Sequence, residues 1–345
     1  MSSALLVRLR PTGPWRIGPD SGDRDRIDRV FHSDALYAAV TAAMASLDLL
    51  EDWLDSTARA SVPAVRLSSC FPFMGEILYV IPPQHVWPPA ASAKVRWKGA
   101  KFVPVKVVER LLSGQPLNED GWIVEGGSGC LIPASSHAGA TVFRTAVRSS
   151  AAIDRSGGGA APHSTACVEF APDSGLWFAA VFADEASRDR WTARLRGAFA
   201  LLADSGLGGG RSRGWGRSES PDIQEGDLSK LLVSAPVGDE RGHWLLSLFH
   251  PSETDSVDWE KGSYSLTTRT GRTESDAGWG ALKKQTRMVS EGSVLVAAAE
   301  PTGTAPNVAP EGFSHPVYRA GYAVSLPVAL KPAVATSTDA EGAAL

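Results

Sequence analysis

Cysteine is scarce in this chain, with three among 345 residues at positions 70, 130 and 167, and no two form a C-x-x-C pair. That spacing argues against a zinc site or a disulfide framework. The seven histidines contain no H-x-x-x-H pair, so neither a metal nor another cofactor is called for. No apolar run approaches the roughly 18 residues a membrane span needs. The apolar stretch in residues 1–13 is too short for a signal-peptide core, and Arg8 and Arg10 soon follow it. An excess of charge of one sign is also missing. A formal net charge of -4 excludes a protein that coats nucleic acid indiscriminately, but not one whose basic residues are segregated. These absences predict a soluble, cytoplasmic protein without a membrane partner. A hydrophobic content of 43% over 345 residues suffices for packed cores in two domains or one large one.

Residues 3–10 read as a first strand, ended by Pro11, Gly13 and Pro14. A polar loop over 18–29 leads to a helix from 32 to 50. Ser33 is its expected N-cap, Asp34 sits in the first turn, and Leu36, Val40 and Leu47 form its buried face. Residues 67–81 read as a strand or hairpin stopped by Pro82 and Pro83. About 84–172 is rich in glycine, serine and proline and reads as a long insertion with short elements of its own. A strand around 175–182 and a helix over 184–206 follow, the helix capped by Asp184 and burying Trp191, Leu195, Ala198 and Leu202. Gly206 stands where a helix C-terminal glycine is expected, and 215–222 reads as another strand. This order, strand-helix-strand, insertion, strand-helix-strand, is the split β-α-β of a ferredoxin-like (RRM-like) domain over 1–225. Strand patterns near 243–251, 263–271, 292–300 and 320–328 suggest a second, degenerate unit over 240–330. The expected class is therefore α+β, two ferredoxin-like domains with a long insertion in the first. Residues 331–345 have the composition of a disordered tail.

One loop stands out. Residues 206–217, GLGGGRSRGWGR, hold six glycines and three arginines, and no acid occurs before Glu219. The P-loop is excluded, because no Lys-Ser or Lys-Thr follows the glycines. A dinucleotide fingerprint is excluded because a helix leads into this loop instead of leaving it, so no helix N-terminus faces an anion. What fits is a flexible backbone that approaches a phosphate chain closely through Gly208, Gly209, Gly210 and Ser212. Arg211, Arg213 and Arg217 supply charge, and Trp215 either stacks on a base or packs beneath the loop. A mobile loop with solvated arginines has the same composition. Other basic islands favour the phosphate track. Residues 93–106 carry five basic residues and no acid, and Lys283, Lys284 and Arg287 cluster late in the chain with Arg269 and Arg272 just upstream.

Several of these stretches together resemble the RAMP superfamily of CRISPR proteins, and within it the fourth subunit of the type III-A Csm effector complex. The resemblance rests on the 206–216 loop, on Phe31-His32-Ser33-Asp34-Ala35-Leu36, and on the aromatic strand of 71–83. It also rests on Arg148 with Ile153-Asp154-Arg155, on Arg269 with Gly271, on the 283–293 run ending Glu291-Gly292-Ser293, and on the 315–321 run. It implies a non-catalytic subunit that grips the repeat-derived 5′ tag of the crRNA, a single-stranded RNA. The implied neighbours are the polymerase-like large subunit and the first backbone subunit. The implied RNA contacts are the loop, Arg148, Arg155, Arg269, Lys283, Lys284 and Arg287, while Glu291 and Ser293 match the pattern without a stated role.

The main alternative is a metal-independent crRNA-processing endoribonuclease of the same superfamily. It needs a general base for the 2′-OH, and His32 beside Ser33 and Asp34 is the candidate, with His163 a weaker one. A helix-flanking histidine without a catalytic role has the same local sequence. A scaffold that does not touch RNA is the third reading.

Overall fold

A computed structural model describes residues 3–19, 22–89, 97–136, 139–153, 159–233, 240–275 and 278–330. The expected tail at 331–345 and the candidate Arg155 lie outside these residues. Helices and strands mix in an α+β arrangement.

The first half is built on a sheet whose strands run β1 (Ser3–Leu9), β2 (Val65–Leu67), β3 (Phe71–Met74), β4 (Ile77–Val80), β5 (Val103–Pro104), β10 (Ser174–Phe182) and β11 (Asp222–Asp227). Their order in space is β11-β1-β10-β3-β4-β5, with β2 also paired to β10. Taking β2 and β3 as one interrupted strand, the central order is fourth, first, third, second. Every residue of β10 is buried, which is why its sequence, SGLWFAAVF, is continuously apolar instead of alternating. Two helices cover one face: α1 (Ser33–Ser46), followed by the short α2 (Leu50–Ser56), and α4 (Glu185–Ser205). Phe178 of β10 meets Phe199 of α4 edge to face at 5.0 Å. Asp184 caps α4 by accepting a hydrogen bond from Ser187 N at 2.7 Å, and Trp191, Leu195, Ala198 and Leu202 are buried as the helical period requires.

Two details of the first helix differ from the sequence reading. His32 occupies the N-cap position without a side-chain cap bond, because the Ser33 hydroxyl is used elsewhere, accepting from Leu248 N at 3.0 Å. The helix ends at Ser46, so Leu47 is the C-cap and is 38% exposed instead of buried. The strand expected at 215–222 begins at Asp222, since the preceding residues complete the loop.

The insertion has more order than its composition suggests. It holds α3 (Val105–Leu112), a small pair β6 (Trp122–Val124) with β7 (Leu131–Pro133), and an 11-residue antiparallel hairpin of β8 (Phe143–Ile153) and β9 (Ala160–Phe170).

The second half has its own four-stranded sheet of β12 (Arg241–Leu245), β13 (Val257–Ser263), β18 (Val294–Ala297) and β21 (Ser325–Ala329), ordered β13-β18-β12-β21. Read from β21 this is again fourth, first, third, second, with every pairing antiparallel. No helix occurs among its described residues. Between β13 and β18 stand the pairs β14 (Leu266–Arg269) with β17 (Thr286–Val289) and β15 (Arg272–Ser275) with β16 (Gly278–Leu282); β19 (Gly303–Thr304) and β20 (Gly321–Tyr322) pair after β18. One hydrophobic core runs through both halves, joining Leu36 and Phe71 to Trp244, Leu246 and Val324.

Candidate nucleic-acid interface

The glycine-rich loop leaves α4 at Gly206 and docks on the segment that follows β1. Gly209 N donates to Arg16 O at 2.9 Å, Gly216 N to Pro14 O at 2.9 Å, and Leu207 N to Gly216 O at 3.0 Å. Glycine is required here for steric reasons that can be named. Gly216 has φ +80°, and a Cβ on it would lie 2.0 Å from Leu207 O. Gly214 has φ +78° but open space around it, so only its backbone conformation demands glycine. Trp215 is half-buried and packs against the backbone of Gly210. Arg211, Ser212 and Arg213 form a single 3-10 turn between two left-handed glycines, Gly210 and Gly214. The turn lifts exposed Ser212 and Arg213 off the surface, while Arg211 is half-buried. Arg217 is exposed, its carbonyl accepting from Thr12 N at 3.0 Å and Trp15 Nε1 at 3.1 Å.

The β8–β9 hairpin stands next to this loop. Trp15 pairs with Val168 of β9, and Arg213 Nη2 lies 3.4 Å from His163 Nε2. The hairpin's outer part is exposed on both faces. Arg148 projects from it and pairs with Glu169, which also accepts from Arg144 Nη2 at 3.0 Å. One carboxylate thus serves two guanidinium groups, and the hairpin's described residues keep a net positive charge.

Arg16 was not singled out in the sequence, yet it ties the corner together. Its guanidinium donates to the carbonyls of Arg24 at 3.0 Å, Ala166 at 3.0 Å and Asp23 at 2.7 Å. Burial, with the Arg24 charge adding to it, lowers the pKa of Arg16. The signal available in the sequence was Arg16 just ahead of the polar, charged loop of 18–29, which itself carries arginines at 24, 26 and 29.

The candidate base His32 lies in the seam between the halves. Nδ1 donates to Glu291 Oε1 at 2.7 Å and Nε2 to Asp28 Oδ2 at 3.2 Å. Burial by itself would lower the histidine, but the Glu291 charge and the two hydrogen bonds outweigh it and hold His32 at about 10. The same interactions hold buried Glu291 below the usual carboxylate range, against the opposing effect of burial, and Asp28 at about 2. Both ring nitrogens of His32 are thus taken up by carboxylates, and a doubly hydrogen-bonded imidazolium offers no lone pair for a 2′-OH proton. The Ser69 hydroxyl also donates to Glu291, and accepts from Ser33 N at 2.8 Å. Glu291, unassigned in the sequence, is therefore the second half's anchor on the start of α1. Ser293 is buried, and its hydroxyl accepts from Ser265 N at 3.2 Å.

A second ion pair takes up another of the expected RNA contacts, Arg269. It is buried and makes a two-pronged bond with Asp34, Nε to Oδ2 at 3.1 Å and Nη2 to Oδ1 at 3.0 Å. Arg319, also buried, lies 3.5 Å from Asp34 and donates to the Arg269 carbonyl at 2.6 Å. Burial opposes ionisation of Asp34, but the two guanidinium groups and His32 leave its pKa lowered. The late basic run therefore divides. Lys284 and Arg287 are exposed, and Lys283 lines an apolar groove with Tyr37, His315 and Tyr318.

Residues 239–328 match the family described as the CRISPR Csm4 C-terminal domain. A chain in the crystal structure of the Csm3-Csm4 subcomplex in the type III-A CRISPR-Cas interference complex has the same fold, with TM-score 0.63 at 17% identity over 94% of this chain and 99% of that one. A chain in the Csm1-Csm4 cassette in complex with cA4 aligns with TM-score 0.57 at 19% identity over 95% and 99%. No curated protein sequence matches. The fold is shared with these crystallised chains over nearly their whole length. The domain match makes residues 239–328 similar to the Csm4 C-terminal domain.

Proposed function

We propose that this chain is a non-catalytic crRNA-binding subunit of a type III CRISPR effector complex, built as two ferredoxin-like units of which the second has lost its helices. In this reading it holds the repeat-derived 5′ tag and joins the polymerase-like large subunit to the first backbone subunit, in the cytoplasm. The partners follow from the relatives of like fold, which were crystallised as Csm1-Csm4 and Csm3-Csm4 assemblies. The observation that carries the RNA part is the meeting of loop and hairpin, Arg213 beside His163 at 3.4 Å. There exposed Arg213 and Arg217 share one corner with Arg148. A strand of phosphates gains from each such cation by counterion release. The pairing of both His32 nitrogens supports a non-catalytic role over the His32 nuclease.

One observation favours a second reading. An imidazole next to a guanidinium, His163 with Arg213, pairs a base with a cation that stabilises developing charge. A single experiment separates the two. The protein is incubated without metal with labelled repeat–spacer RNA and with tag-bearing crRNA, then run on native and denaturing gels. Tag binding predicts a preferential shift of the tagged RNA with all strands intact. Cleavage within the repeat, abolished in His163→Ala, would overturn it in favour of processing.

A further inference from the structure

A cavity of about 460 Å³ opens between residues 27–30, 81–87 and 100–102, within the range of small-ligand sites, roughly 300–1,000 Å³. Val30, Pro82, Ala100 and Phe102 are buried and give it an apolar floor. Trp87 forms an aromatic wall, and its ring is fixed by stacking on fully buried Trp97, with centroids 5.5 Å apart and planes 6° from parallel. Two cations line the rim. Lys101 is exposed, and half-buried Arg29 reaches the Ser128 carbonyl at 3.4 Å. Gln84 adds an amide. Asp28 adds a carboxylate that accepts from His32 at 3.2 Å and from Val30 N at 3.2 Å, two of its roughly four acceptor positions.

The cavity and the glycine loop share one support. Asp28 N donates to Ile17 O at 2.9 Å, and the neighbouring Arg16 O accepts from Gly209 N at 2.9 Å. Phe31, next to Val30, lies 3.8 Å from the position of a Cβ on Gly208. The loop and the cavity thus border on the same stretches of chain, at 16–17 and 28–31. The chemistry of the lining narrows the ligand. A purely apolar ligand has no use for two cations on the rim, and a free phosphate has none for an aromatic wall and an apolar floor. An unpaired nucleotide presents a flat base and a phosphate together, and base–aromatic stacking is a main source of single-strand affinity.

We propose that this cavity receives one nucleotide of the bound RNA strand, its base against Trp87 and its phosphate between Lys101 and Arg29. The proposal rests on the RNA-binding reading above. Its test uses the full chain and a labelled single-stranded RNA carrying the 5′ tag, with a set of the same RNA made abasic at one tag position at a time. Wild type is expected to lose on the order of tenfold in affinity at one abasic position. Trp87→Ala should lose about as much on the intact RNA and be indifferent to that position. Lys101→Ala, a surface change that leaves the fold alone, should weaken binding and flatten the salt slope by about 0.7. Should both variants bind every RNA as wild type does, or should Trp87→Ala keep the wild-type abasic profile, the cavity proposal is overturned while Arg213→Ala still weakens binding. If wild type shows no salt-dependent binding, the RNA reading fails and the cavity proposal with it.

Discussion

The glycine loop and the seam are both arginine-bearing motifs, and they use the residue in opposite ways. In the loop, Arg213 and Arg217 stand out in solvent on a backbone shaped by left-handed glycines. In the seam, Arg269 and Arg319 are buried on Asp34. The difference lies in the groups across from each arginine. Where a buried carboxylate faces it, the charge is consumed in joining the two halves; where none does, it remains for a partner. Removing one member of each set should therefore have opposite signatures.

The seam should break hardest. Asp34→Ala leaves two buried guanidinium groups uncompensated, and breaking a buried pair in this way costs about 3–5 kcal/mol. Urea unfolding should show that loss, and Arg269→Met and Arg319→Met together with Asp34→Leu should recover much of it. Recovery is expected because replacing a whole buried pair by apolar side chains is often neutral. If Asp34→Ala unfolds like wild type, the seam is not what joins the halves.

A pH titration probes the other seam cluster. The folded state holds His32 at about 10, above its ordinary 6.5. A raised pKa contributes fully below the unfolded value, about pH 6.5, and that contribution is lost as pH rises through about 10. Stability should therefore decline from neutral pH into the alkaline range, by less than the one-proton ceiling of about 1.4 kcal/mol per pH unit. In His32→Gln the decline should flatten. An equal slope in both proteins would mean that the imidazolium is not what the seam depends on.

Within the loop, two glycines of like conformation sharpen the comparison. Gly216→Ala meets both a positive φ and a carbonyl 2.0 Å from the new Cβ, whereas Gly214→Ala meets the positive φ alone. The first should cost about 1–3 kcal/mol and more than the second. Equal losses in urea unfolding would show that the loop shifts freely on its support.

How much of this was legible in the sequence depends on whether burial left a period to read. The α4 helix and β10 were legible because their apolar residues follow the packing on either side. The hairpin of β8 and β9 was not, since its outer residues are solvated on both faces and leave no alternation. The strand Val257–Ser263 was hidden for a related reason, its sequence VDWEKGS mixing charges along a sheet edge. The burial of Arg269 was not legible because a basic cluster looks the same in sequence whether or not a carboxylate from 235 residues away meets it. His32 had the same difficulty: its partner Glu291 is 259 residues distant. The loop's conformation was legible in its glycines, but the Arg16 anchorage beneath it was not, since carbonyl partners carry no sequence signature.

The gentlest change should separate binding from folding. Arg213→Ala and Arg217→Ala remove exposed charges, and such substitutions usually move stability by no more than about 0.5 kcal/mol. Their effect should appear in RNA binding alone. Each cation withdrawn from a phosphate should flatten the dependence of log affinity on log salt by about 0.7 for a single strand, so the double variant should differ from wild type by about 1.4 in slope. Fluorescence anisotropy with tag-bearing RNA across a salt series would read it. A scaffold that does not touch RNA predicts no change in slope, and a loop whose arginines only steady the fold predicts a change in stability instead. A flatter slope at unchanged stability is the pattern that places these arginines on phosphate, in contrast to the buried arginines of the seam.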